Sequence, residues 1–173
     1  MFMVQENTLQ KERLEKIYKK VKALYGVVPP QMKFLGNIEA EYLEEFLKMA
    51  VRILRHPNIE PDIFSCIRLH IAFKEEYAYC KNFNTTLLLS KGYKQEMLNS
   101  VVENIENIPF EQQEKALVKF ALKAIYESSN CQEEDFKKLE EMGWSQKDIF
   151  DAIEHAGTIF RNGRLLTAYS TKA

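Results

Sequence analysis

Apolar residues return every three or four positions along almost the whole chain, and no stretch of any length alternates apolar with polar. That period is the signature of amphipathic helices, so the chain reads as all-α. Leu9, Leu14, Ile17, Val21 and Leu24 open the series, and Gly26, Pro29 and Pro30 end it. A short helix through Met32, Phe34 and Leu35 follows. Another covers about residues 39–55, with Tyr42, Leu43, Phe46, Leu47, Ala50, Ile53 and Leu54 as its apolar face. Pro61 and Asp62 suit the first turn of a fourth helix, where a proline needs no amide partner and an acid meets the positive end of the dipole. Ile63, Phe64, Ile67, Leu69, Ile71, Ala72 and Phe73 leave little of that helix polar, as in a central, mostly buried element.

The chain is predicted to bend over Lys74 to Tyr79, and Cys80 to Ser90 reads as a fifth helix closed by Gly92. Met97 to Ile105 makes a sixth, Pro109 and Glu111 open a seventh, and Gln132 to Met142 forms an eighth that Gly143 terminates. Ser145 with Asp148 marks the start of a last helix running to about Tyr169. The expectation is a single domain, 1–173, of about nine helices, arranged as N-terminal helices (1–60), middle helices (61–105) and C-terminal helices (109–170).

Composition excludes several functions. With 24 Lys and Arg against 25 Asp and Glu, the net charge of -1 lacks the basic surplus of a general nucleic-acid binder. The longest apolar run, Met1 to Val4, is far short of the roughly 20 residues a membrane span needs, so no membrane partner is expected. No export signal is read in it either, so a cytoplasmic location is expected. The six glycines stand singly and build no phosphate-cradling loop, and the three histidines do not fall at zinc-site spacings. No cofactor and no metal are therefore expected. Cys66, Cys80 and Cys131 show no paired spacing.

The segment Ser65 to Leu88, SCIRLHIAFKEEYAYCKNFNTTLL, resembles the core of the carboxymuconolactone decarboxylase family, and within it the alkyl hydroperoxide reductase D (AhpD)-like branch. That branch carries a helix of the type E-x-x-x-L-R-x-A followed by C-x-x-C-x-x-x-H. Leu69, His70, Ala72 and Cys80 fall in this frame. Tyr25-Gly26-Val27-Val28-Pro29 resembles the entry of peroxidase-related members, and Phe120 to Leu165 their C-terminal helix pair. The resemblance implies an AhpD-like helical bundle, association into a homo-oligomer, and thiol peroxidase chemistry. That chemistry uses two thiols three residues apart on a helix's first turn, with a histidine and a glutamate relaying protons. Here Cys80 holds the second cysteine position, while Tyr77 replaces the first cysteine, Asn84 the histidine and Ser65 the glutamate. Tyrosine forms no disulfide, and neither asparagine nor serine takes a proton at neutral pH, so the dithiol cycle cannot run.

Cys66 is a poor substitute partner. About 15 Å of helix, at about 1.5 Å per residue, separates it from the motif turn, against the roughly 7 Å between Cα atoms that a disulfide spans. Cys80 reads either as a residual helix-terminal thiolate or as a partly buried relic whose pKa Glu75 and Glu76 raise. Tyr77, Tyr79 and Phe83 line a small-molecule pocket or pack the core. His70 is a pocket acid or base, or a core histidine satisfied by hydrogen bonds. His155, in the last helix, reaches the same pocket from the other side or stays in the core. Arg161 and Arg164 bind a carboxylate or pair near the helix C-terminus.

Three functions stay open on this reading. One is an AhpD-like protein with a degenerate redox site and at most single-cysteine chemistry at Cys80. Another is a non-catalytic homo-oligomer that binds a small molecule or a protein partner in the old pocket. The third is a cysteine-independent, decarboxylase-like enzyme.

Overall fold

The computed structural model describes residues 5–170, so the run Met1 to Val4 lies outside the described residues. The described residues are all-α. Nine helices follow one another: α1 (Lys11–Tyr25), α2 (Pro30–Ile38), α3 (Ala40–Leu54), α4 (Pro61–Lys74), α5 (Ala78–Ser90), α6 (Gln95–Glu103), α7 (Gln112–Tyr126), α8 (Glu133–Glu141) and α9 (Gln146–Tyr169). Short 3-10 turns lie at Ile105–Asn107 and Ser128–Asn130. Among the described residues no helix is long and apolar enough to cross a membrane. The chain forms two compact units. One holds the residues up to Arg55 and those from Leu165 on, and the other is His56–Arg164.

In the first unit, Leu14, Ile17 and Val21 of α1, Met32 of α2, and Ala40, Leu43 and Leu47 of α3 form one core. Pro30 occupies the first turn of α2. Gly26, at φ 75°, ends α1, and its amide donates to the Lys22 carbonyl. The buried stripes are narrower than periodicity suggests. Leu9 precedes the helix and is 98% exposed, and Leu24, Tyr42 and Leu54 are also exposed. Tyr42 and Leu54 each sit one residue from a buried neighbour, Leu43 or Ile53. One residue is about 100° of rotation on a helix, enough to leave the stripe. Leu24 lies in the last turn of α1, past the stripe that ends at Val21.

In the second unit α4 is central. It packs against α5, α6 and α7, and eight of its residues, from Ile63 to Ala72, are buried, Ser65 and Cys66 among them. Leu69, Leu88 and Leu98 join α4, α5 and α6. The bend between α4 and α5 is a tight turn with Glu76 in the left-handed region at φ 58°. Tyr77 is the N-cap of α5, which starts at Ala78, two residues before the expected start. The seventh helix starts later than Pro109 suggests, because Glu111 and Glu114 close a capping box there. At α9 the Ser145 amide donates to Asp148 Oδ2 at 3.0 Å, and the Asp148 amide donates back to Ser145 Oγ at 3.2 Å. Aspartate here does the work that glutamate usually does in such a box.

Candidate functional site around Arg68 and Cys80

Within one unit, Ser65 lies on α4, Tyr77 caps α5, Cys80 and Asn84 lie on α5, and an arginine joins Ser65 to Asn84. The Arg68 guanidinium donates through Nη2 to Ser65 Oγ at 2.6 Å, through Nε to Asn84 Oδ1 at 2.7 Å, and through Nη1 to His155 Nε2 at 3.1 Å. A guanidinium has donors only. His155 Nε2 must therefore accept, which makes the imidazole neutral with its proton on Nδ1. Ser65 passes its own proton to the Pro61 carbonyl at 2.9 Å. Asn84 uses its amide nitrogen to donate to the Cys80 carbonyl at 2.8 Å. Arginine thus ties α4, α5 and α9 together at the site. Phe64 of α4 backs His155 edge-on, with ring centres 5.0 Å apart.

Arg68 is the residue that periodicity passes over. It stands three positions after Ser65, so it shares a helix face with it. The available signal was a lone cation inside an otherwise apolar stretch of α4.

Cys80 lies in the first turn of α5, partly buried and not in a disulfide. Burial pushes its thiol pKa up, and the nearby Arg68 charge pulls it down. The net direction is upward. The expected acidic neighbours are not the cause, since Glu75 pairs with Arg164 at 2.5 Å. Arg164 therefore pairs from inside α9, which continues to Tyr169, with the C-cap residue of α4.

Tyr77, three residues before Cys80, contacts α9. Its hydroxyl donates to the Phe160 carbonyl at 3.2 Å, and its ring packs against Gly163, where an added Cβ would come within 1.8 Å of a ring carbon. It turns toward α9, while Tyr79 and Phe83 stack on each other with ring centres 6.2 Å apart.

His70 and Cys66 form a separate buried pair. His70 Nε2 donates to the Val101 carbonyl at 2.9 Å. Burial lowers the His70 pKa and pushes the Cys66 thiol up to about 12. His70 Nδ1 lies 3.0 Å from the Cys66 carbonyl oxygen, and Cys66 Sγ lies 3.6 Å from the same nitrogen. On its other side His70 borders a cleft of about 390 Å³ with Lys74, Lys119, Lys123 and Tyr126. All three described cysteines are free thiols.

A third polar group escaped sequence reasoning. His56 Nε2 lies 3.2 Å from Asp151 Oδ2, and its Nδ1 accepts from the Ile59 amide at 3.0 Å. Backbone amides only donate, so His56 is neutral and donates from Nε2. It latches the turn before α4 to α9. Among the described residues, no group of three or more His, Cys, Asp or Glu could hold a metal ion.

No family model and no curated protein matches this sequence. Solved structures do match. A peroxidase-related protein from Silicibacter sp. TM1040 superposes with a TM-score of 0.80 at 18% identity, over 93% of this chain and 84% of that one. An alkylhydroperoxidase AhpD core protein, peroxidase-related, from Ralstonia eutropha JMP134 gives 0.79 at 16% identity, over 99% and 92%. The debrominase Bmp8, as a cysteine-to-alanine variant in complex with 2,3,4-tribromopyrrole, gives 0.73 at 14% identity, over 100% and 92%. The fold is therefore AhpD-like. At these identities the chemistry has to be argued from this chain's own side chains.

Proposed function

We propose that this chain is an AhpD-like protein with one-thiol chemistry, in which Cys80 reduces a hydroperoxide without forming an intramolecular disulfide. The observation that carries this reading is a free, partly accessible Cys80 in the first turn of α5 under the charge of Arg68, with Tyr77, packed on Gly163, standing three residues before it. The Cys80 thiolate attacks the terminal peroxide oxygen and the O–O bond breaks. The sulfur keeps one oxygen as a sulfenate, and the other leaves as an alkoxide that takes up a proton to become an alcohol. One external thiol then displaces water from the sulfenic acid, giving a mixed disulfide. A second external thiol attacks that disulfide, frees Cys80 and leaves the two external thiols joined. Because the Cys80 pKa is raised, the thiolate is the minority form at neutral pH and the rate climbs with pH.

Peroxide consumption by Cys80→Ser is the test. The reading expects that variant to lose turnover while Cys66→Ser and Cys131→Ser keep it. Equal consumption in Cys80→Ser and the unmodified protein contradicts it. A cysteine-independent reading, binding or decarboxylase-like, draws on the Arg68–His155 contact at 3.1 Å. Against it, the Nε2 lone pair of His155 is already occupied by Arg68. Association into a homo-oligomer is part of the proposal, and the exposed Phe150, Met142 and Phe136 offer apolar surface for it.

A further inference from the structure

We infer that Arg68 is the positioning residue of the Cys80 site: clamped by Ser65, Asn84 and His155, its guanidinium holds Asn84 against the Cys80 carbonyl and supplies the positive charge that favours the Cys80 thiolate. The inference rests on the one-thiol reading above and goes beyond it, since nothing in the motif frame assigns position 68 a role.

Three nitrogens of one planar group reach three acceptors on three helices, at 2.6, 2.7 and 3.1 Å. A guanidinium fixed on three sides has lost its rotamer freedom, so its charge stays at one place. Asn84 transmits that placement to α5. Its Oδ1 accepts from Arg68 and its Nδ2 donates to Cys80 O at 2.8 Å, so the two ends of one amide connect the guanidinium to the backbone of the thiol residue. Both Ser65 and Asn84 are buried, where charges act at lower effective dielectric than in water. Against the burial that raises the Cys80 thiol, Arg68 is the charge that works the other way.

The test is the pH profile of alkylation by iodoacetamide, read at each cysteine by peptide mass spectrometry. The thiolate displaces iodide and forms the thioether. Unmodified protein, Arg68→Lys and Arg68→Met are compared, with Cys131 as the control in the same tube. Arg68→Met is expected to slow Cys80 roughly tenfold at a fixed pH below its midpoint, with the midpoint shifted upward. Arg68→Lys recovers part of the rate because the charge returns without the planar fork, and the Cys131 profile stays in place. A Met variant that matches the unmodified protein at Cys80, or a Lys variant as slow as the Met variant, overturns the inference. If Arg68→Met unfolds, Cys66 becomes reactive, and Asn84→Ala replaces it as the test. That variant cuts the link to α5 and is expected to slow Cys80 in the same sense, whereas an unchanged or faster Cys80 overturns the inference. A Cys80 that stays inert at every pH in the unmodified protein overturns the one-thiol reading itself, and this inference with it.

Discussion

At the scale of single residues, Gly163 and Tyr77 are a matched pair. Glycine inside a helix is ordinarily about 1 kcal/mol worse than alanine. Here the sign reverses, because a Cβ at 163 would lie 1.8 Å from a Tyr77 ring carbon. Gly163→Ala should therefore destabilise the protein by about 1 to 3 kcal/mol in urea denaturation. In a Tyr77→Ser background the same change should stabilise it, and a loss in both backgrounds contradicts the pairing. The Cys66–His70 pair sets a pH dependence. The Cys66 pKa is raised in the fold, so its contribution is complete below the ordinary thiol range and is lost as pH rises toward about 12. The His70 pKa is depressed, so its contribution is complete above the ordinary histidine value of about 6.5 and is lost as pH falls below it. Each group adds a slope of at most about 1.4 kcal/mol per pH unit. Cys66→Ala should flatten the alkaline side of a stability-versus-pH curve, and an unchanged alkaline slope contradicts the assignment. What Tyr77, Asn84 and Ser65 cannot do, form a disulfide or take a proton at neutral pH, was legible from residue type alone. Arg68 was not, since its role appears only when α4, α5 and α9 meet around it.

At the scale of elements, the start of α9 carries unusual responsibility. Asp148 caps the helix through Ser145, and both its carboxylate oxygens accept from the Asn58 side chain. Burial works against its charge, but these hydrogen bonds hold its pKa below the usual carboxylate range. Asp148→Ala removes a cap and a tie to the turn before α4. It should cost about 1 to 2 kcal/mol by chemical denaturation, and a cost near zero contradicts the latch. The cap was visible in the sequence as Ser145 with Asp148. The second half of the device was not, because Asn58 and His56 lie some ninety residues away. Helix existence was legible from periodicity throughout, and helix edges less so. Leu24, Tyr42 and Leu54 continue the apolar pattern yet face solvent, since a pattern cannot say where the neighbouring helix stops covering it. The start of α5 came early because Glu76 turns left-handed and lets Tyr77 serve as the cap.

At the scale of the whole molecule, the all-α architecture followed from the helical period, and the AhpD-like character from one segment, Ser65 to Leu88. The site did not follow as completely. Tyr77 and Cys80 are near neighbours in sequence, but their surroundings differ: Tyr77 meets Gly163 and the Phe160 carbonyl, while burial and the Arg68 charge act on the Cys80 thiol. His70, read as a pocket group or a hydrogen-bonded core histidine, bonds the Val101 carbonyl, contacts Cys66 and also borders the cleft with Lys74 and Tyr126. If the chain associates as proposed, light scattering on a sizing column should give a mass at least twice 20.3 kDa, and a monomer mass at micromolar concentration contradicts that part of the account. The measurement that reaches the central claim most directly is peroxide oxidation of the native protein, followed by sulfenic-acid trapping and mass spectrometry of each cysteine. The account predicts one trapped oxygen at Cys80, none at buried Cys66, and no intramolecular disulfide. A disulfide joining Cys80 to another cysteine of the chain, or a Cys80 that stays a thiol while peroxide is consumed, contradicts it.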